Sequence, residues 1–266
     1  MNELKLTVIG YGNMGSALAR AAQSTGAIVN VISHTDFDLG KLESVKDCDV
    51  LLLAVKPKGM FEVLNKVREE LNSIVPESRP ILFTVAAGLE HKFYSDVLKK
   101  DNNQRWKVIR GMPNTPVSVG SGVISLTGNA NVDQKDIDLV KKMFEKAGTL
   151  VEIPEKQINA LTAISGSGPA YFYAFTESLI KAGENLGLSS ELSRLLAKQT
   201  LIGSAKLINT PDSEQKMPEP ENLRIAVTSP GGTTAAALDV YNKTLDNLSY
   251  EACKANIARS VEMANV

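Results

Sequence analysis

The stretch Leu4-Lys5-Leu6-Thr7-Val8-Ile9-Gly10-Tyr11-Gly12-Asn13-Met14-Gly15 decides the fold. Leu4 to Ile9 is an alternating, β-rich run, and a helical pattern follows from about Met14 to Ser24, so the glycines fall on a strand–turn–helix junction. Gly10 permits the tight turn, and Gly12 lets a pyrophosphate approach the backbone. The free N–H groups at the helix start receive the negative charge. A Gly-x-Gly pair alone would fit a merely structural turn. The full Gly-x-Gly-x-x-Gly spacing, directly after a strand and opening a helix, assigns a dinucleotide site.

The same alternation continues outward. Strand candidates recur at Ile28 to Ile32, Val50 to Val55, Ile81 to Val85 and Lys107 to Arg110, several too apolar to have a solvated face. Between them lie helical patterns, one at Met60 to Leu71 with Met60, Val63, Leu64, Val67 and Leu71 on one stripe, and one at Asn131 to Ala147 closed by Gly148. This predicts an α/β fold with a doubly wound sheet. After Ile153 the strand signal ends and helical periodicity takes over, which divides the chain into residues 1–154 and an all-helical region, residues 155–266. Tyr171, Phe175, Leu179, Ala182 and Leu186 share one face there, and Tyr250, Cys253, Ile257 and Val261 share another. So short a helical region has little of its own to bury such stripes against, and a dimer at least is expected; the competing reading packs them within one chain. Asn209 to Asn222, with prolines at 211, 218 and 220, reads as an exposed loop.

Composition narrows the function. The 266 residues are 43% hydrophobic and 22% charged, which places the chain among ordinary globular proteins and excludes disorder. The longest purely apolar run, Val50 to Val55, is far short of the roughly 20 residues of a membrane span. The first residues show no apolar signal core, so a cytoplasmic protein is expected, with no membrane partner. Lys plus Arg number 29 against 30 Asp plus Glu, without a long basic run, and nucleic acid is not an expected partner. Two cysteines, Cys48 and Cys253, and two histidines, His34 and His91, leave no metal cluster and little material for a Ser-His-Asp triad. The chemistry must work with little imidazole.

Further motifs sit at strand ends and helix breaks. After strand two stand Ser33-His34-Thr35, where sites for NAD usually carry an acidic side chain; a hydroxyl and an imidazole accommodate a 2′-phosphate and point to NADP. Asp36 and Asp38 follow closely and keep NAD open, and His34 reads equally as a surface loop residue. Ala54-Val55-Lys56-Pro57 and Ala86-Ala87-Gly88 lie at carboxyl ends of strands, where such sheets bind ligands, so both are expected to flank the cofactor. Small residues at 86 to 88 would admit a flat nicotinamide or simply make a tight turn. Met112-Pro113-Asn114-Thr115-Pro116 reads as another such loop, with the Asn114 amide suited to a carboxamide. In the helical region, Ser165-Gly166-Ser167-Gly168-Pro169-Ala170-Tyr171 breaks two helical patterns and predicts close approach of another surface. In Val227 to Leu238, Ser229 reads as an N-cap or loop donor, Pro230, Gly231 and Gly232 shape a turn, and Thr233 and Thr234 open a helix with unpaired N–H groups, an anion site.

Together these stretches resemble the pyrroline-5-carboxylate reductases, most specifically in Ser165 to Tyr171 and Val227 to Leu238, with the Gly10 to Gly15, Ala54 to Pro57 and Met112 to Pro116 motifs in the family's order. The resemblance implies an N-terminal Rossmann-type domain holding NADPH or NADH and a helical domain forming an intertwined homodimer, often within larger rings, with each active site between one chain's cofactor domain and a partner's helices. It implies cofactor contacts from Ile9, Gly10, Tyr11, Gly12, Asn13, Met14, Ser33, Ala54, Val55, Lys56, Pro57, Val85, Ala86 and Ala87. His34 and Asn114 join them from their positions alone. It further implies a substrate site at Ser229, Gly232, Thr233 and Thr234, in which Ser229 and the amides at 233 and 234 hold the carboxylate and the Thr234 hydroxyl meets the ring nitrogen. Ser229 and Thr234 are thus the catalytic candidates. Two departures stand out: Lys41 replaces a common Asn near the adenosine ribose, and the 209–222 loop lacks the family's usual polar run.

The implied reaction suits a chain poor in histidine. A protonated cyclic imine is already electrophilic, so the protein need mainly orient and desolvate the partners. A β-hydroxyacid-dehydrogenase-type oxidoreductase would need a helix-borne lysine, but the first lysine after Gly168 is Lys181, poorly placed for it. A non-catalytic dinucleotide sensor is the alternative from another class, opposed by the intact Ser229 to Thr234 cluster.

Overall fold

A computed structural model describes residues 3–99, 105–212 and 215–264. The elements are, in order, β1 (Lys5–Ile9), α1 (Asn13–Gln23), β2 (Ile28–Ile32), α2 (His34–Asp38), β3 (Val50–Leu53), α3 (Pro57–Leu71), β4 (Ile81–Thr84), α4 (His91–Leu98), β5 (Val108–Pro113), β6 (Gly122–Gly128), α5 (Gln134–Phe144), β7 (Gly148–Glu152) and α6 (Ile158–Leu161). Then follow α7 (Gly168–Asn185), α8 (Ser190–Ile208), α9 (Pro220–Ala226), α10 (Thr233–Tyr241) and α11 (Leu245–Ala264). By internal contact the described residues through Pro169, with those from Asn256 on, form one compact unit, and Ala170–Ala255 form a second.

In the first unit seven strands make one sheet in the order β2-β1-β3-β4-β5-β6-β7, every pair parallel except β5 with β6. The central strands β3 and β4 are buried along their whole length, because helices cover both faces and no position can be left polar to solvent. One core layer packs α1 and α5 on Leu6, Val8, Val50, Leu52, Phe83 and Ile109. The other packs the Met60, Val63, Leu64, Val67 and Leu71 stripe of α3 on Leu51, Leu53 and Leu82. That stripe is the one its sequence period predicts.

The sheet is larger than the five strands read from sequence. Gly122–Gly128 pairs antiparallel with β5, and Gly148 opens β7 instead of merely closing a helix. Helix α5 is shorter than its pattern, running from an Asp133 capping box to Phe144. Met112 and Pro113, read as loop, belong to β5. Pro113 ends the strand, where its missing N–H leaves no central ladder bond unmade.

At Ser165–Gly168 the break is a π turn over Thr162–Gly166, in which the Ser167 N–H reaches back five residues to the Thr162 carbonyl at 2.9 Å. Two distant segments of the same chain approach it. Asn114 Nδ2 donates to the Ser165 carbonyl at 3.0 Å, and Asn256 Nδ2 donates to Ser167 Oγ at 2.8 Å.

The second unit is helical and poorly covered. Among its described residues only Thr176, Ser193 and Ala197 are buried, while Phe172, Leu195, Leu248 and Tyr250 are each more than 60% exposed. The expected stripe on α7 is not buried within the chain: Tyr171 and Phe175 remain exposed, and Leu186 more so. The segment between α8 and α9 is 209–219, shorter than the 209–222 loop read from sequence because Pro220 opens α9 at its first turn. Residues 213 and 214 of that loop lie outside the described residues.

Candidate active site

Strand register brings the cofactor candidates together. Ile9 is level with Ile32 and with Leu53, and Leu53 with Thr84, so the turns at Gly10, Ser33, Ala54 and Val85 emerge side by side along the carboxyl edge of the sheet. The chain crosses from β1 to β2 on one side and returns to β3 on the other. Such a switch of direction opens a crevice at the β1/β3 edge.

The three glycines divide the work there. Gly10 sits at φ +96°, and a Cβ on it would lie 2.6 Å from the Ala54 carbonyl carbon, so only glycine lets β1 turn against the end of β3. A Cβ on Gly15 would lie 2.0 Å from the Gly10 carbonyl oxygen, so this glycine lets α1 pack on the turn. Gly12 is different. A Cβ there meets nothing within 4 Å, and Gly12 is the N-cap of α1 with no side chain on the free amides. Open space before uncapped N–H groups can admit an anion such as a pyrophosphate, and a methyl would fill it. Tyr11 and Asn13 are exposed beside it and Met14 is half-buried.

Ala54 and Val55 continue from β3 half-buried, with the Ala54 N–H on the Ile9 carbonyl at 2.8 Å; Lys56 is the extended N-cap of α3, and Pro57 its first residue. Beyond β4, Val85 is half-buried, Ala86 buried and Ala87 exposed. These residues offer a flat, small-residue wall at the sheet edge.

Ser33 caps α2: its Oγ accepts from the Asp36 N–H at 3.0 Å and donates to Asp36 Oδ2 at 2.6 Å. His34 is exposed at the first position of α2, and its Nδ1 lies 2.9 Å from Asp38 Oδ2. Lys41, outside the motif, returns to within 3.8 Å of Asp36 Oδ1.

Asn114 requires a correction. Its side chain is buried and is committed within the chain, Oδ1 accepting from the Val123 N–H at 2.8 Å and Nδ2 donating to the Ser165 carbonyl. The amide ties the end of β5 to β6 and to the π turn; it is not presented to a carboxamide.

The structure also reveals a polar cluster that no local pattern announces. Arg110 on β5 is paired with Glu155, whose Oε1 also accepts from the His91 backbone N–H at 2.8 Å. Burial alone would raise the Glu155 carboxyl, but the His91 N–H and the Arg110 guanidinium outweigh it and hold it below the carboxylate range. Burial, with Arg110 assisting, lowers the His91 imidazole. Nearby, burial pushes Tyr94 up to about 12 while its hydroxyl shares a 2.8 Å hydrogen bond with Thr84 Oγ1. The cluster anchors α4, the helix that follows Ala86 and Ala87. Three residues spread from 91 to 155, each unremarkable alone, carried no readable signal.

In the second unit, Ser229 to Thr234 form one turn and helix start. The Gly232 N–H bonds the Ser229 carbonyl at 3.0 Å, with Pro230 second in the turn and Gly231 third at φ +70°. The N-cap of α10 is Gly232, not Ser229, because this turn is inserted between them. A Cβ on Gly232 would lie 2.5 Å from Ser229 Oγ, so the hydroxyl leans over the mouth of the helix. No side chain caps α10, and Thr233 and Thr234 are exposed on its first turn. A helix start with free amides and two or three hydroxyls can hold a carboxylate. Among the described residues there is no group of three or more His, Cys, Asp or Glu able to hold a metal ion, and no helix is long and apolar enough to cross a membrane.

Comparison with known proteins adds names to this geometry. Residues 155–263 match the family model for pyrroline-5-carboxylate reductase dimerisation, and residues 5–75 that for NADP oxidoreductase, coenzyme F420-dependent. The chain is 34% identical to pyrroline-5-carboxylate reductase from Corynebacterium melassecola over 97% of its own length and 98% of the relative's. It is likewise 34% identical to the Aquifex aeolicus enzyme, covering 87% of this chain and 86% of that one. The Plasmodium falciparum pyrroline carboxylate reductase solved with NADP bound superposes with a TM-score of 0.78 at 33% identity, over 99% of each chain. The Coxiella burnetii pyrroline-5-carboxylate reductase gives 0.82 at 31%, over 98% of each. By sequence along nearly its whole length and by fold, the chain belongs to the pyrroline-5-carboxylate reductase family.

Proposed function

We propose that this protein reduces 1-pyrroline-5-carboxylate to L-proline with NADPH, accepting NADH less well, in the cytoplasm, as the final step of proline biosynthesis. The observation that carries this reading is the uncapped start of α10 behind the Ser229–Gly232 turn, in a member of this family that also keeps an open pyrophosphate cradle at Gly12.

Residues 1–154 serve as the dinucleotide-binding domain and residues 155–266 as the substrate-binding and dimerisation domain. The Gly12 cradle and the α1 amides hold the pyrophosphate, Ser33 and its neighbours the adenosine ribose, and the 54–57 and 85–87 segments border the nicotinamide. When bound, the reduced nicotinamide supplies the hydride. The amides of Thr233 and Thr234 and the Ser229 hydroxyl hold the substrate carboxylate, and the Thr234 hydroxyl holds the ring nitrogen. The imine carbon gains a hydride and its nitrogen keeps the proton that made it electrophilic, so no strong acid is required. Orientation and exclusion of water are the protein's main contribution.

The uncovered faces of the helical unit support an intertwined homodimer. Phe172, Leu195, Leu248 and Tyr250 expose area that a second copy would bury, and obligate interfaces resemble a core divided in two. The deciding experiment follows cofactor oxidation with 1-pyrroline-5-carboxylate and each nicotinamide in turn. Saturable proline formation, faster with NADPH, is expected; no turnover with either cofactor would remove the reductase reading.

A further inference from the structure

The segment that follows β2 is built so that one cation returns to the adenosine end of the site. Helix α2 ends at Asp38, and Gly40, at φ +72°, takes the left-handed conformation that ends helices without strain. The Gly40 N–H bonds the Phe37 carbonyl at 3.2 Å and the Lys41 N–H bonds the Asp36 carbonyl at 2.9 Å. These are the paired bonds of a Schellman turn, and they fold Lys41 back over the first turn of α2. Its Nζ lies 3.8 Å from Asp36 Oδ1, while Asp36 Oδ2 is held by Ser33 Oγ at 2.6 Å. Because Ile32 is level with Ile9, this Ser33–Asp36–Lys41 chain stands next to the Gly10 turn. His34, by contrast, is turned to Asp38 and is 93% exposed.

We infer that Lys41 is the residue that receives the adenosine 2′-phosphate of NADPH, with Asp36 as its counter-ion in the free protein and the group that opposes the phosphate. The inference rests on the reading that this chain is a nicotinamide-dependent reductase, and it assigns the choice of cofactor to one ion pair. The pair is held together weakly, at 3.8 Å with Lys41 61% exposed, so a dianionic phosphate competes well for the ammonium. Asp36 remains beside the ribose hydroxyls, where a carboxylate favours NADH. The two charges therefore pull the preference in opposite directions.

The test measures dissociation constants of NADPH, NADH and the fragment 2′,5′-ADP by fluorescence or calorimetry on the full-length protein. Lys41→Gln is expected to weaken NADPH and 2′,5′-ADP about 5- to 50-fold, a charge-assisted contact reduced by solvent screening, and to move NADH less than about twofold. Asp36→Asn is expected to tighten NADPH about 2- to 10-fold and to weaken NADH. Lys46→Gln, which removes the same charge from the pair with Glu70, controls for the general field and is expected to change nothing. Equal shifts for both cofactors in Lys41→Gln, no shift, or the same shift in Lys46→Gln would overturn the assignment. Failure of the wild-type protein to bind either nicotinamide would instead overturn the reductase reading on which it rests.

Discussion

Gly12→Ala is expected to weaken NADPH binding while leaving the fold intact, because the added methyl would enter the one open space at the first turn. Nothing of the chain lies within 4 Å of that Cβ, and the residue's φ of −77° and ψ of −165° are open to alanine. Alanine is a poorer N-cap than glycine, and the loss is offset in part by the reduced freedom of the unfolded chain, about 0.4–1 kcal/mol. The net change in stability is then under about 1 kcal/mol, less than about 4 °C in Tm for a chain of this size. Against a bound pyrophosphate the methyl is an overpacked atom at about 1–3 kcal/mol, which is about 5- to 150-fold in Kd. Gly10→Ala makes the contrast: its Cβ would meet the Ala54 backbone at 2.6 Å from a left-handed φ, and about 2–5 kcal/mol of stability should be lost. Thermal melting and fluorescence titration of NADPH on both variants separate the two effects. A folded Gly12→Ala protein with wild-type NADPH affinity would refute the cradle.

Thr234→Ala should lower kcat/KM for the imine about 10- to 1000-fold without moving Tm, since the side chain is exposed on the first turn of α10; steady-state kinetics beside melting checks this. The depressed His91 imidazole makes stability fall on acidification: unfolded chains take up a proton near pH 6.5 while the fold resists it, so Tm should drop below that value, and His91→Asn should flatten the slope. Glu155 acts in a lower window, its depressed carboxyl adding stability above about pH 4.5 that is lost as pH falls through its folded value. Burial pushes the Cys48 thiol up to about 11, so in a Cys253→Ser background a thiol reagent at pH 8 should label the folded protein about 100-fold more slowly than a free cysteine, a difference that denaturant abolishes.

The N-terminal half was legible because its signals are local. Val50–Leu53 is apolar throughout and Ile81–Thr84 all but its last residue, as a strand covered on both faces demands. Strands β6 and β7 escaped for the opposite reason. Gly122–Gly128 mixes glycine, serine and threonine with its apolar residues, and Gly148–Glu152 is a short edge strand only partly covered; both owe their state to the neighbour they pair with. Of the two readings of Ser229, the N-cap fell one turn short and the loop position stands, since a hydroxyl near a helix start looks like a cap until the Pro230–Gly231 turn is seen to intervene.

Sequence by itself determined the βαβ order, the glycine turn after β1 and the helical second half, because hydrophobic period and glycine spacing are written along a few neighbouring residues. Only the tertiary structure decided which of those glycines leaves open space, that Asn114 is spent on the chain itself, that Lys41 returns to Asp36, and that Arg110, Glu155 and His91 meet. Those facts depend on distances between residues far apart in the chain or on the hand of a single turn. No pattern of residue types encodes a distance until the backbone has closed around it.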